Sequence, residues 1–81
     1  MAQRVTDTDL HEAADYINNA ILNLNPRSKY EIIIGHRYGY TAIDLGIRKK
    51  GGIHRTIISG LTKSEAGNFL FGMTTGIDLI S

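Results

Sequence analysis

Eighty-one residues with a net charge of +1 and 42% apolar content describe one small globular domain rather than a disordered tail or a multidomain chain. The chain has no cysteine, which excludes a disulfide framework, a thiolate nucleophile and a Cys-type zinc site. No stretch approaches the roughly 18 consecutive apolar residues of a membrane span, and MAQRVTDTDLHEAADYI has no apolar run after Arg4, so a cytoplasmic protein without a secretory leader is expected.

Residues 1–6 read as a flexible arm. A first helix is expected over 9–24, with Asp9 as N-cap and Glu12 three residues on. Leu10, Ala13, Ala14, Ile17, Ile21 and Leu24 recur at helical spacing and form one apolar stripe. Pro26 ends the pattern, because proline disfavours helix at the residue before it and cannot continue the ladder.

From Lys29 the period becomes two, and strands are expected over 29–37, 40–47 and 53–59. Tyr30, Ile32, Ile34 and His36 share one face of the first strand; Glu31, Ile33, Gly35 and Arg37 share the other. On the second, Thr41, Ile43, Leu45 and Ile47 oppose Tyr40, Ala42, Asp44 and Gly46. If Tyr38-Gly39 is a two-residue loop, Arg37 faces Tyr40, Ile34 faces Ile43 and Ile32 faces Leu45. The two richest apolar rows then coincide, whereas a one-residue slip would separate them. Gly39 is expected at positive φ. The third strand leaves two registers open: Ile53 with Ile57 toward the core, or His54 with Thr56 and Ile58.

A second helix is expected over 63–75. LTKSEA supplies Thr62 as N-cap, Glu65 at the third helical position, and Leu61 with Ala66 as a hydrophobic staple. Ala66, Phe69, Leu70, Met73 and Ile77 mark its apolar face. Gly76 is expected to end it, Gly72 to allow close approach of a neighbour, and the IDLIS tail to pack. The fold class is α+β: a single α-β-β-β-α domain, with two helices on one face of an antiparallel meander.

For function, GHRYGYTAIDL gathers His36, Arg37, Tyr38 and Tyr40 around Gly39. Aromatics beside arginine stack bases or anchor partners; they also serve as ordinary cross-strand packing. The histidines form no metal constellation, because His36 and Asp44 fall on opposite faces and His11 has no partner at helical spacing. Ser59, Ser64 and Thr62 are the available hydroxyls, Thr62 already being a cap, and no GxSxG, phosphate loop or carboxylate pair accompanies them. No catalytic residue, metal, cofactor or small-molecule substrate is therefore expected.

Charge is unevenly spread. Residues 7–15 carry Asp7, Asp9, Glu12 and Asp15 without a base, while residues 27–63 carry eight bases against Glu31 and Asp44, a local excess of +6. In a meander, Arg48, Lys49 and Lys50 lie near Arg27 and Lys29. This cluster suits phosphates or an acidic protein surface; hairpin tips are also often lysine-rich for solubility alone. The sheet face without helices shows Ile33, Tyr40 and Ala42, with Tyr38 at its tip, and is expected to bind a second copy of the chain or another protein.

The α-β-β-β-α order resembles the double-stranded-RNA-binding domain in topology. That family reads RNA with its first helix, its first inter-strand loop and a lysine cluster opening the second helix. This chain has instead an acidic first helix, a two-residue turn and Lys63 alone, which argues against carrying the function over. Separately, RYGYTAIDL with SGLTKSEAGNFLFGMTTGI, over residues 37–77, resembles short uncharacterised proteins of bacteriophages and mobile elements. That resemblance implies small size and unknown function, with the host cytoplasm as the expected location if the chain is phage-encoded, and assigns no site. The expected function is a small non-catalytic binding or accessory protein that self-associates, with nucleic-acid binding by the basic end as the alternative.

Overall fold

Helices form at both ends of the chain because each opens on a reciprocal cap. The computed structural model describes residues 5–49 and 51–80. Helix α1 spans Asp7–Leu24 and helix α2 spans Lys63–Ile80. At α2 the Thr62 N–H donates to Glu65 Oε1 at 2.9 Å and the Glu65 N–H to Thr62 Oγ1 at 3.2 Å. The backbone bond from Thr62, and then its hydroxyl, hold the Glu65 carboxyl below its ordinary range. The α1 cap lies three residues earlier than the sequence suggested. Thr6 is the N-cap, and Asp9 takes the position expected of Glu12: the Thr6 N–H donates to Asp9 Oδ2 at 3.0 Å. A hydroxyl that both accepts and leaves its own N–H free to be capped displaces Asp9 from the role. Within the expected arm, Val5 packs against the core and Thr6 caps; residues 1–4 lie outside the described residues.

Strands β1 (Tyr30–Arg37), β2 (Tyr40–Ile47) and β3 (Ile53–Leu61) form an antiparallel sheet in the order β1-β2-β3. The β1–β2 pairing has the expected register, with Arg37 opposite Tyr40, Ile34 opposite Ile43 and Ile32 opposite Leu45. Tyr38 and Gly39 both have positive φ, 55° and 78°, the pattern of a type I′ hairpin turn.

β3 follows neither expected register throughout. Ile58 sits opposite Ile43 and Leu61 opposite Thr41, toward the core, yet Thr56 sits opposite Asp44 and Ile53 opposite Gly46. Three register shifts change the parity of the strand. Each shift leaves an unmatched residue, so strict alternation cannot survive across it.

α1 lies over β1, while α2 lies over β2 and β3. Leu10, Ala14 and Ile17 of α1, Ala66 and Leu70 of α2, and Ile32, Ile34, Ile43 and Leu61 of the sheet share one core, so both helices cover the same face. Tyr16, midway along α1, ties it to the last turn of α2 by donating to Asp78 Oδ1 at 3.0 Å. Leu24, expected in the stripe, is exposed at the last turn of α1. α2 continues through Gly76 to Ile80, because the apolar run beyond the glycine still reaches the core through Ile77. The tail is thus helical, but Leu79 and Ile80 are exposed rather than packed. Close approach occurs at Gly67, where a β-carbon would meet Val5 Cγ1 at 3.3 Å, and not at Gly72, which faces open space.

The edge strand β1 is tied to α1 by one side chain. The Ile32 N–H donates to Asn18 Oδ1 at 2.7 Å, and Asn18 Nδ2 donates to the Ile32 carbonyl at 3.1 Å. Asn18 supplies the donor and acceptor that another strand would supply.

The turn makes a direct test. Gly39→Val should destabilise the domain by roughly 2 kcal/mol, because a β-branched side chain resists positive φ. Chemical denaturation measures it; an unchanged midpoint would contradict the assigned turn.

Candidate binding surface

The second face of the sheet has no helix over it, so the strands must close it themselves. Its central positions are small: Gly35 on β1, Ala42 and Gly46 on β2. Larger neighbours fold across them. A β-carbon on Gly46 would run into Ile33 Cδ1, and one on Gly35 would meet Asp44 Oδ2 at 2.9 Å. Ala42 is therefore only 1% exposed and Ile33 half-buried. Of the interface residues expected from sequence, Ala42 is withdrawn from the surface and Ile33 partly so, because side chains of the same face already cover them.

Asp44 is the centre of this face and is fully buried. Arg37 lies over it, with one guanidinium nitrogen 2.7 Å from Oδ2. Arg37 stands opposite Tyr40, four residues along β2 from Asp44, so its side chain reaches the carboxylate by lying back over Gly35. Asp44 Oδ1 is buried with no hydrogen-bond partner among the described residues. Sequence reasoning missed this pair. Its signal was present: the register that places Arg37 opposite Tyr40 also puts Arg37 and Asp44 on one face.

Toward β3 the face opens. Arg37, Tyr38, Tyr40, Ile53, Thr56 and Ser59 line a groove of about 480 Å³. Tyr40 is 52% and Ile53 53% exposed, and Tyr38 at the turn is 99% exposed. The residues of GHRYGY thus divide. Arg37 and Tyr40 line the groove wall with Tyr38 at its tip, whereas His36 points to the helix side and sits 3.7 Å from Asp7. Ile53, Thr56 and Ser59 join the groove only because the β3 register shifts bring them there.

The basic end is also assembled. Arg27, Lys29, Arg48 and Lys49, with Ser28 and Pro26, line a second groove of about 330 Å³. Lys50 lies outside the described residues. Arg48 is partly engaged: its guanidinium reaches Glu31 at 4.0 Å and donates to the Tyr30 carbonyl at 3.4 Å. Arg27, Lys29 and Lys49 are exposed. His54 stacks at 5.3 Å from the Tyr30 ring. Among the described residues no three metal-ligating side chains converge, and no helix is long and apolar enough to cross a membrane.

Arg37→Ala should cost roughly 3 kcal/mol or more, because it leaves the buried Asp44 carboxylate without its counter-charge. Replacing both partners by apolar residues, Arg37→Met with Asp44→Leu, should recover much of that loss. Denaturation midpoints of the single and double variants check the coupling; equal losses would show that the pair acts only as packing.

Set against known proteins, the chain matches no family model, no curated protein and no solved structure.

Proposed function

We propose that the chain is a small non-catalytic binding protein that associates with itself through the β3 side of its second sheet face. One observation carries this reading: Tyr38 is 99% exposed at φ 55°. The left-handed region costs an ordinary L-residue roughly 1–2 kcal/mol, and Asn is the residue such a turn prefers at this position. Tyr38 gains no intramolecular contact in return for the strain. An exposed aromatic kept at a cost in stability is what a binding anchor looks like. The adjoining groove, with Tyr40 and Ile53, supplies apolar surface beside it. Thr6 and Thr62 are engaged as caps, and Thr74 donates to the Leu70 carbonyl.

Tyr38→Asn should separate stability from binding. The thermal midpoint should rise, while self-association measured by sedimentation over micromolar concentrations should weaken at least tenfold. An unchanged association constant would remove Tyr38 as an anchor.

A second reading rests on the convergence of Arg27, Lys29, Arg48 and Lys49 around one groove. Such a cluster suits the phosphates of a nucleic acid. Binding to generic RNA or DNA should then fall steeply with salt, and Arg27→Gln with Lys29→Gln and Lys49→Gln should abolish it. No binding at low salt would eliminate this reading.

A further inference from the structure

The basic end of the sheet carries more positive charge than its own surroundings neutralise. Arg27, Lys29, Arg48 and Lys49 line one groove. Among the described residues, the one carboxylate in ion-pair reach of any of them is Glu31, 4.0 Å from Arg48. Arg48 is the least exposed of the four. Its guanidinium makes one long hydrogen bond, 3.4 Å to the Tyr30 carbonyl, and its Nε is buried with no acceptor among the described residues. A guanidinium carries five donors, so most of this one's are unfilled. An oxyanion in the groove would supply the acceptors and the counter-charge that the chain does not.

Backbone bonds hold the groove in shape. Asn25 accepts the Arg27 N–H on Oδ1 at 3.2 Å and the Ser28 N–H on its carbonyl at 2.9 Å. The Arg48 N–H donates to the Lys29 carbonyl at 2.6 Å. The loop that carries Arg27 and Lys29 is thus fixed against the end of β2, which lowers the cost of ordering these side chains around a ligand.

An aromatic pair stands beside the cations. Tyr30 of β1 and His54 of β3 meet over the middle strand, with ring centroids 5.3 Å apart and planes tilted by 45°. Lys29 joins the two features: it lines the groove, and its Nζ lies 5.5 Å from the Tyr30 ring centroid. His54 is exposed, so its ring adds accessible π surface next to the basic groove.

We infer that the basic groove holds a phosphate of a single-stranded nucleic acid while an adjoining base stacks on the His54 ring. This rests on the nucleic-acid reading of the basic end and specifies the form of nucleic acid. Cations alone suit any polyanion. An acidic peptide would satisfy them and leave the rings unused. Ring surface beside phosphate contacts is what unpaired bases use, whereas the bases of a duplex are stacked on one another and cannot reach it. Size agrees: the groove is about 330 Å³, at the small end for a ligand cleft, on the scale of one sugar-phosphate unit.

Fluorescence anisotropy at low salt tests this with labelled probes matched in phosphate number: an oligothymidylate, a strand of abasic tetrahydrofuran units, and a duplex. The oligothymidylate should bind at least tenfold tighter than either of the others. His54→Ala should weaken it about tenfold, within the range of one base stack, and leave the abasic strand and the circular dichroism spectrum unchanged. Lys49→Gln should weaken every probe at least fivefold. Lys63→Gln, which removes the same charge beside Asp7 at the other end of the sheet, should weaken none by more than twofold. If the abasic strand or the duplex binds as tightly as the oligothymidylate, or His54→Ala leaves the oligothymidylate unaffected, base stacking is overturned and the reading of the basic end stands. If Lys63→Gln weakens binding as much as Lys49→Gln, the charge acts without a site and the inference is overturned with the groove. If no probe binds at low salt, both the inference and the nucleic-acid reading fall.

Discussion

The structure turns on one constraint: a sheet has two faces, and both helices cover the same one. Among the described residues there is no third element with which to close the other side. It closes that side with its own strand residues. Small residues at Gly35, Ala42 and Gly46 leave a shallow trough, and Ile33 and Arg37 fold into it. Asp44 can then be buried on a face that has no helix, because Arg37 supplies both its counter-charge and its cover. A buried pair of this kind is a weak source of net stability, but losing either member is costly.

The same shortage of material explains why the sheet is sealed on one flank and open on the other. Near β1, the trough is filled and Asn18 occupies the edge. Near β3, the helices thin out, the pairing with β2 is irregular, and apolar groups reach solvent at Ile53, Ile57 and Tyr40. Burial is greatest on the central strand β2 and least on β3. The candidate binding surface lies at the weakly buried end, where local contacts are fewest and a partner can replace solvent without displacing core.

What was legible in the sequence follows the same gradient. The β1–β2 register could be read directly, because two apolar rows coincide at only one pairing and Gly39 fits a two-residue turn. The Thr62–Glu65 cap could be read because the LTKSEA pattern is unambiguous. The Thr6–Asp9 cap was harder: two overlapping acidic candidates compete in DTDLHE, and only the hydroxyl of Thr6 decides between them. β3 could not be read. Its three shifts depend on how its backbone fits β2, and a period of two carries no information once the parity changes. For the site, the exposed Tyr38 tip was visible, and so was the clustering of the basic end. The sealing of Ala42 was not, because it requires knowing that Ile33 and Arg37 fold inward rather than stand upright.

A few residues oppose the fold locally. Tyr38 strains a turn that Asn would relax, and Gly72 and Gly76 weaken a helix that Ala would strengthen by about 1 kcal/mol at each position. Neither is compensated within one protomer: Tyr38 touches solvent, and the glycines face open space. Local preference and tertiary packing agree in the caps, the β1–β2 register and the apolar stripes, whereas Lys49, exposed in the turn between β2 and β3 at φ 78°, is a further exception. These exceptions lie in two turns and on one helix, where the sequence departs from what folding alone would select. The tyrosine and the glycines lie on different elements and break different rules.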